Sequence, residues 1–229
     1  MSAASELREY TDRSNSIHKE YLGNPELLRR YECFVDWQLD YMLPFYEDLG
    51  ATEDRAEAVN FFVSDLTGID ISERDLEFAK VVPLMTRMLP DKALDAVATA
   101  MRLNARVLGI NLSICRELYK EISIDTEITE ASYCSACRRA SQLEECLELV
   151  HLTAEIGRDL DQLIRIPMIG LTLRAMRLPA RLAGFGALQK FLETGYKTFN
   201  ALEDVHQFLD DMTVRMTEVF TQIFTKPIR

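Results

Sequence analysis

Apolar residues recur at intervals of three and four along almost the whole chain, and this helical period limits the possible folds more than any other feature. No run of alternating apolar and polar residues is long enough to predict a β-strand. Prolines and glycines fall mostly where the period is interrupted, which is where helices begin, bend or end. The pattern therefore predicts an all-α fold, a bundle of about seven to nine helices.

The interruptions also predict where the individual helices lie. Asn24 before Pro25 is a typical helix start, with a capping side chain followed by proline at the first helical position. The segment 123–129 is the best candidate for a connection, because it is β-branched and offers threonine caps. No linker or repeat divides the chain, so one domain over residues 1–229 is expected. The expected helices are Ser5–Leu22, Pro25–Asp48 bent at Pro44, one capped by Thr52 and ending at Gly68, Ser72–Pro90 kinked near Pro83, Asp91–Ile122, one of about 35 residues reaching Ile166, short helices broken at Pro179 and at 184–186, and Leu202–Thr225.

The composition of the chain limits the classes of function that it can have. Of the 229 residues 48% are hydrophobic, which is enough for a full core, and 26 Lys and Arg stand against 37 Asp and Glu, a net charge of −11. A charge this negative excludes a general nucleic-acid binder, whose affinity comes from a basic face. The five cysteines, an odd number, do not form a disulfide framework. Together with a polar N-terminal segment and no long apolar run, this predicts a cytoplasmic protein without a transmembrane segment.

The segment 162–192 reverses the charge of the chain. It contains five basic and no acidic residues, which leaves 21 basic against 37 acidic residues elsewhere, a charge of −16. Arg174, Arg177 and Arg181 are spaced by three and four, so a helix continued through Pro179 would carry them on one face. This stretch predicts contact with an anionic ligand, an acidic partner or a membrane surface, and pairing with acidic neighbouring helices is the alternative. The opposite, apolar stripe consists of Leu171, Ala175, Leu178 and Leu182.

Two of the three histidines end a Glu-x-x-His motif, namely Glu148 with His151 and Glu203 with His206. This spacing places a carboxylate and an imidazole on one helix face, as in di-iron four-helix bundles. The same residues also lie opposite apolar stripes, so solvent-exposed polar faces are the alternative interpretation. A di-metal site would require further inward carboxylates, which no pattern singles out.

His18 borders the apolar face of the first predicted helix. With an early histidine in an all-helical chain of this length, the protein resembles the haem oxygenases, whose iron ligand lies in the first helix. This resemblance implies a haem-binding alternative. The other interpretation is a core or interface histidine bonded to a neighbouring carbonyl or carboxylate.

Cysteines and aromatic residues give two further candidates. Cys134 and Cys137 form a lone CxxC, for which redox use requires an exposed helix N-terminus and zinc requires two more ligands. The pattern favours two small residues on a packed helix face.

Trp37, Phe61 and Phe62 belong to an aromatic-rich region, which predicts either core packing or a pocket for an apolar ligand. The chain has no GxSxG, Walker or dinucleotide-binding motif.

Longer motifs give the chain a family resemblance. In the N-terminal half they are His18-x-x-Tyr21-Leu22-x-x-Pro25-x-Leu27, Trp37-Gln38, Phe61-Phe62-x-x-Asp65-Leu66-x-Gly68 and Arg74-Asp75. In the C-terminal half they are Arg177-x-Pro179-Ala180-Arg181-Leu182-Ala183-Gly184 and Leu188-Gln189-x-Phe191-Leu192-Glu193-x-Gly195. With these motifs the chain resembles a proteobacterial family of uncharacterised helical proteins over nearly its whole length. The resemblance implies no activity, but it ranks these residues above the CxxC, His151 and His206.

The sequence thus predicts a non-catalytic binding or regulatory protein, a homodimer, that contacts an anionic or apolar ligand or partner. The alternative is a haem- or metal-binding bundle that acts as an enzyme or carrier, with His18 or the two Glu-x-x-His pairs as ligands. No particular cofactor or substrate follows from the sequence. The expected contact residues are His18, Trp37, Phe61, Phe62, Arg74, Arg174, Arg177 and Arg181.

Overall fold

The computed structural model of the chain describes residues 2–65, 71–88 and 91–227. These residues contain ten α-helices, more than the sequence predicts, and no strand, so the all-α prediction is confirmed. Two of the expected helix ends, Gly68 and Pro90, lie outside the described residues. The elements are α1 (Ala3–Leu22), α2 (Pro25–Met42), a 3-10 helix (Leu43–Gly50), α3 (Glu53–Asn60), a π-helix (Phe61–Asp65), α4 (Ile71–Met88), α5 (Asp91–Glu121), α6 (Glu130–Ala140), α7 (Leu143–Ile164), α8 (Ile169–Leu182), α9 (Gly186–Ala201) and α10 (Val205–Thr225).

Side-chain caps start α1, α2, α6 and α10, whereas Thr52, the expected cap of α3, accepts no capping hydrogen bond. The side chain of Asn24 accepts hydrogen bonds from the amides of Glu26 and Leu27, and Thr129 forms a capping box at the start of α6, as the sequence predicts. Pro44 lies in the first turn of the 3-10 helix and not in a bend of α2, because a proline at a helix start gives up no helical hydrogen bond. Pro179 lies within α8 and does not divide it.

The single long helix expected up to Ile166 is wrong, because the chain breaks between α6 and α7. The hydroxyl of Ser141 donates to the Cys137 carbonyl at 3.1 Å, which satisfies one carbonyl at the end of α6. Gln142 and Glu145 then form a reciprocal capping box that starts α7. Side-chain hydrogen bonds therefore end and restart the helix here without proline or glycine.

The core consists of two large apolar clusters joined along α2 and α10. One contains Phe34, Leu118 and Tyr133 where α2, α5 and α6 meet. The other forms around Phe61 and Phe199, where the π-helix packs against α9 and α10. Arg215 of α10 donates to both carboxylate oxygens of Asp48 in the 3-10 helix at 2.6 and 2.7 Å. This ion pair joins two elements that are far apart in the sequence. In the described part of the chain, no helix has the length and apolar content needed to cross a membrane.

Candidate functional site

A cavity of about 490 Å³ lies inside the helical bundle. Its wall is formed by α2, the 3-10 helix, the π-helix, α4 to α7, α9 and α10, and most of the lining side chains are Leu, Ile, Val, Met or Phe. Small-molecule sites in proteins are commonly about 300 to 1,000 Å³ and mostly apolar, with a few polar groups at defined positions. The cavity has both the size and the lining of such a site.

Three polar side chains form part of the wall where α4 faces α5, and we refer to Arg74, Asp75 and Asn104 as the Arg74 cluster. Asp75 accepts hydrogen bonds from Nε of Arg74 at 2.9 Å and from Nδ2 of Asn104 at 2.6 Å. Arg74 also donates to Oδ1 of Asn104 at 3.0 Å. Each member therefore holds the other two in place, and the cluster presents charged and amide groups to an otherwise apolar space.

His18 and Tyr21 of α1 support the Arg74 cluster from behind. Nε2 of the fully buried His18 ring lies 2.9 Å from Oδ2 of Asp75, and Nδ1 lies 2.6 Å from the Tyr21 hydroxyl. With a proton on Nε2 the ring donates to the Asp75 carboxylate, and Nδ1 shares a hydrogen bond with the Tyr21 hydroxyl. Both ring nitrogens are thus engaged, which fits a core histidine bonded to a carboxylate and gives no support to an iron ligand at His18.

Burial and the polar partners act in opposite directions on Asp75. Burial raises the pKa of its carboxyl group, whereas the hydrogen bond to His18 and the charge of Arg74 lower it, and the resulting pKa lies below the ordinary value. Asp75 is therefore ionised and balances the charge of Arg74. Burial raises the pKa of Tyr21 to about 12, so its hydroxyl keeps its proton.

A second polar group lies on the cavity wall between α2, α5 and α6. Nε2 of Gln38 donates to the hydroxyl of Tyr133 at 3.0 Å and to Oδ1 of Asn111 at 3.4 Å. Burial raises the pKa of Tyr133 well above its ordinary value, so this phenol is neutral. Asn104 and Asn111 are about two turns, or about 10 Å, apart along α5. These are two of the polar positions on the wall, which also includes Ser141, Thr153 and Asp159.

Aromatic rings enclose the cavity near Arg74. The guanidinium carbon of Arg74 lies 4.5 Å from the ring centroid of Phe191 on α9, and Phe191 stacks on Phe61 with centroids 5.5 Å apart. Phe61 and Phe62 of the π-helix are in edge contact at 6.0 Å. A Cβ atom at Gly195 would lie 3.1 Å from Phe61, so glycine lets α9 approach closely. Phe61, Phe62 and Arg74, which the sequence singles out separately, therefore line one cavity.

The other N-terminal candidate and the Glu-x-x-His pairs lie elsewhere. Trp37 stacks on Tyr41 with centroids 5.0 Å apart, within the apolar packing between α2 and α6. Within residues 2–65, 71–88 and 91–227, no three His, Cys, Asp or Glu side chains are placed to hold a metal ion. The structure therefore does not join the two pairs, and it fits the interpretation of exposed polar faces. Glu148, which pairs with Arg106, and His151, Glu203 and His206 are all exposed.

The three arginines of α8 do not act as one group. Arg177 donates from Nη2 to Glu193 of α9 at 2.6 Å and from Nε at 3.0 Å, which is the pairing with an acidic neighbour that the sequence leaves open. Arg174 donates to the carbonyl of Gly170 at 3.2 Å. Both Arg174 and Arg181 are exposed, and neither forms an ion pair with a residue in the described ranges. The apolar stripe of Leu171, Leu178 and Leu182 faces solvent and not the bundle, and it lies beside Arg174 and Arg181 and not opposite them.

The CxxC residues are buried in the core, as expected for packing residues. Cys134 and Cys137 lie in the apolar cluster between α5, α6 and α10, and both are free thiols. Burial raises the pKa of both thiols, which disfavours the reactive thiolate. The break between α6 and α7 places Sγ of Cys146 3.9 Å from the Ser141 hydroxyl.

Sequence reasoning missed the two asparagine side chains of the site and listed Gln38 only within a motif. Asn104 and Asn111 interrupt the buried face of α5, which otherwise carries residues such as Leu108 and Leu112. Two amides seven residues apart on the apolar face of a long helix are a signal that could have found them. Gln38 adjoins the expected Trp37, but no periodicity distinguishes it from a surface residue.

Comparison with known proteins gives one match. A family model described as a domain of unknown function (DUF8198) matches residues 18–227, a range that contains the cavity lining, His18 and α8. No curated protein and no solved structure matches the chain.

Proposed function

We propose that this chain, which belongs to the DUF8198 family of unknown function, binds an elongated apolar molecule in the cavity of its helical bundle. The observation that carries the proposal is the volume of about 490 Å³, partly open to solvent, that mostly apolar side chains line. An apolar cavity of about 150 Å³ in an engineered protein core binds benzene, so this space accepts a ligand of on the order of 20 heavy atoms.

The energetic cost of an empty cavity supports the proposal. At about 24 cal/mol per Å³, a closed and empty apolar space of this size would cost about 12 kcal/mol, and the part of it that is open to solvent costs less. That is comparable to the whole unfolding free energy of a typical domain, about 5 to 15 kcal/mol. A ligand that fills the cavity would replace this cost with dispersion contacts and apolar burial.

The two polar positions define the chemistry of the ligand. The Arg74 cluster and the group of Gln38, Asn111 and Tyr133 place donors and acceptors about 10 Å apart on the wall. An apolar chain or ring system with one or two oxygen functions, as in a fatty acid or an isoprenoid alcohol, matches this arrangement.

The geometry favours a binding protein over the haem or metal alternative. The ring nitrogens of His18 are both hydrogen-bonded, and the Glu-x-x-His pairs are exposed and separate. The cavity wall combines elements from α2 to α10, which supports one domain over residues 1–229. Five free thiols support the cytoplasm as the compartment. The homodimer, the absence of nucleic-acid binding and the bacterial origin remain predictions.

Native mass spectrometry of protein taken directly from cells tests the proposal first. We expect a retained apolar molecule, and a saturable, fluorescent signal when the emptied protein is titrated with cis-parinaric acid. The variant Ala100→Phe, which projects a ring from α5 into the cavity, should weaken probe binding by about tenfold or more. Ala201→Phe makes the same change at an exposed position and is the control.

A second filling variant, Val107→Trp, guards against a folding defect in the first. Both filling variants should keep the helical circular dichroism of the native chain while losing the probe. Absence of any retained molecule together with non-saturable probe fluorescence would overturn the proposal. Unchanged probe affinity in both folded filling variants would do the same.

A further inference from the structure

Helix α8 presents an apolar stripe to solvent. Met168 is 70% exposed, Leu178 66% and Leu182 80%, although a helix normally turns such residues towards the core. The buried residues of α8 are Gly170 and Ala180, on its other side. The full stripe consists of Met168, Leu171, Ala175, Leu178 and Leu182.

The stripe follows the helical period without interruption. Its members within α8 are spaced by three and four residues, so they lie on one side of the helix, and Met168 directly precedes the helix. From Met168 to Leu182 the stripe is about 21 Å long. Exposed apolar residues that are scattered singly need no explanation, but a contiguous row of this length marks a surface for a membrane or a partner.

Basic residues border the stripe. At about 100° per residue, Arg174 and Arg181 lie together along one edge of it, and neither pairs with an acid among the residues that the structure describes. Lys190 of the adjoining α9 is exposed as well. The segment 162–192 carries five positive charges and no negative ones, while the rest of the chain is acidic. The surface that fits this face is therefore apolar inside and anionic outside.

We propose that α8 docks on an anionic lipid bilayer, with the stripe buried among the upper acyl chains and Arg174 and Arg181 among the phosphate groups. Interfacial helices have this composition, with leucines on one side, arginine or lysine beside them and an axis in the membrane plane. A second copy of the chain is the less favoured occupant, because a two-fold interface would place one cationic face against another.

The position of α8 links docking to the cavity. Helix α9, which packs against α8, contributes Leu188, Phe191 and Leu192 to the cavity wall. Arg177 and Glu193 join the two helices on the side away from the stripe. Docking would therefore set the bilayer beside a wall of the cavity. The link between docking and the cavity rests on the proposed function. It deepens that function by making the bilayer the source of the apolar ligand.

Sedimentation with vesicles tests the docking. The full chain should sediment with vesicles of phosphatidylcholine and phosphatidylglycerol at low salt, and weakly with phosphatidylcholine alone. The double variant Leu178→Asp and Leu182→Asp should lower the partition coefficient by about tenfold or more. Val214→Asp, at an exposed apolar residue of α10, is the matched control and should sediment normally. Replacing Arg174 and Arg181 by Gln should lower it by roughly fivefold for each charge.

The outcomes separate the alternatives. Failure of the full chain to sediment, or unchanged sedimentation of the Leu178→Asp and Leu182→Asp variant, overturns the proposal. A dimer in sedimentation velocity that this variant abolishes, with no vesicle binding, assigns the stripe to a second copy instead. Saturable binding of cis-parinaric acid by the docking variant shows that the cavity works when docking fails. Sedimentation of Ala100→Phe with the vesicles shows that docking works when the cavity is filled.

Discussion

Asp75 on α4 accepts a hydrogen bond at 2.9 Å from His18 on α1, a residue that lies 57 positions earlier in the chain, and both side chains are buried. The same carboxylate also accepts hydrogen bonds from Arg74 and Asn104, so one acidic residue joins α1, α4 and α5. Buried charges are tolerated only when they are paired and hydrogen-bonded, and here every oxygen of the carboxylate has a partner. The rigidity of this wall of the cavity therefore depends on Asp75.

Replacing Asp75 by Asn should destabilise the protein by about 3 kcal/mol, because the buried carboxylate that accepts hydrogen bonds from His18, Arg74 and Asn104 would be lost. The measurement is the free energy of unfolding from urea titration at neutral pH. Asp210→Asn removes a carboxylate whose ion pair with Arg158 is solvent-exposed, and should cost less than about 1 kcal/mol. Equal effects of the two substitutions would contradict the structural role of Asp75.

The stabilisation from Asp75 should disappear in acid. The folded pKa of this carboxyl group lies below its ordinary value, which is about 3.9 in an unfolded chain. The stabilisation is therefore present above about pH 4 and is lost as the pH falls through the lower folded pKa. Urea titrations over a pH series should show the difference in unfolding free energy between native chain and Asp75→Asn shrinking below about pH 4. A difference that stays constant down to about pH 2 would show that the pKa of Asp75 is the same in the folded and the unfolded protein.

Glu77 of α4 caps the start of α9 from across the bundle. Its Oε2 accepts a hydrogen bond at 2.7 Å from the amide of Leu188, while Phe185 at the start of α9 supplies no capping side chain. Glu77→Ala should cost about 1 to 2 kcal/mol of unfolding free energy, as loss of a helix cap does, and Glu77→Gln should cost less. Glu73→Ala, at an exposed position one turn earlier, should change the unfolding free energy by no more than about 0.5 kcal/mol. Similar losses for Glu73 and Glu77 would argue against the cap.

Iodoacetamide should label one thiol of the folded protein rapidly and the others only after unfolding. Cys33 is exposed, whereas Cys134, Cys137 and Cys146 are buried. Burial also raises the pKa of Cys115 to about 12, so little thiolate is available there. Peptide mass spectrometry after timed labelling identifies the modified residues, and Cys33→Ser should remove the fast phase. Fast labelling of Cys134 or Cys137 in the native chain would place the CxxC on an accessible surface.

Helix starts were predictable where one local motif decides them. Asn24 with Pro25 and the threonine at position 129 each bring their own capping hydrogen bonds, so a few adjacent residues are enough. The break at Ser141 was missed because the stop consists of side-chain hydrogen bonds and contains no proline or glycine. Its signal, Gln142 followed by Glu145, resembles any polar pair on a helix surface.

The cavity could not be predicted, because an enclosed space depends on how distant helices approach. The aromatic pair Phe61 and Phe62 was expected to line either a core or a pocket, and both descriptions hold, since these rings pack in an apolar cluster and face the cavity. His18 was singled out, but its partner Asp75 depends on how α1 and α4 pack. The stripe of α8 was expected opposite the arginines, yet periodicity alone does not tell which side of a helix faces solvent.

The ion pair between Arg215 and Asp48 can form only late in the synthesis of the chain. Asp48 leaves the ribosome long before Arg215, which lies 167 residues later, and until then the apolar surfaces of the 3-10 helix, α6 and α7 have no α10 to cover them. At about 5 to 20 residues per second, that interval lasts on the order of ten to thirty seconds. Because Met212 and Phe220 of α10 line the cavity, the proposed apolar ligand would find its complete site only once translation has passed α10.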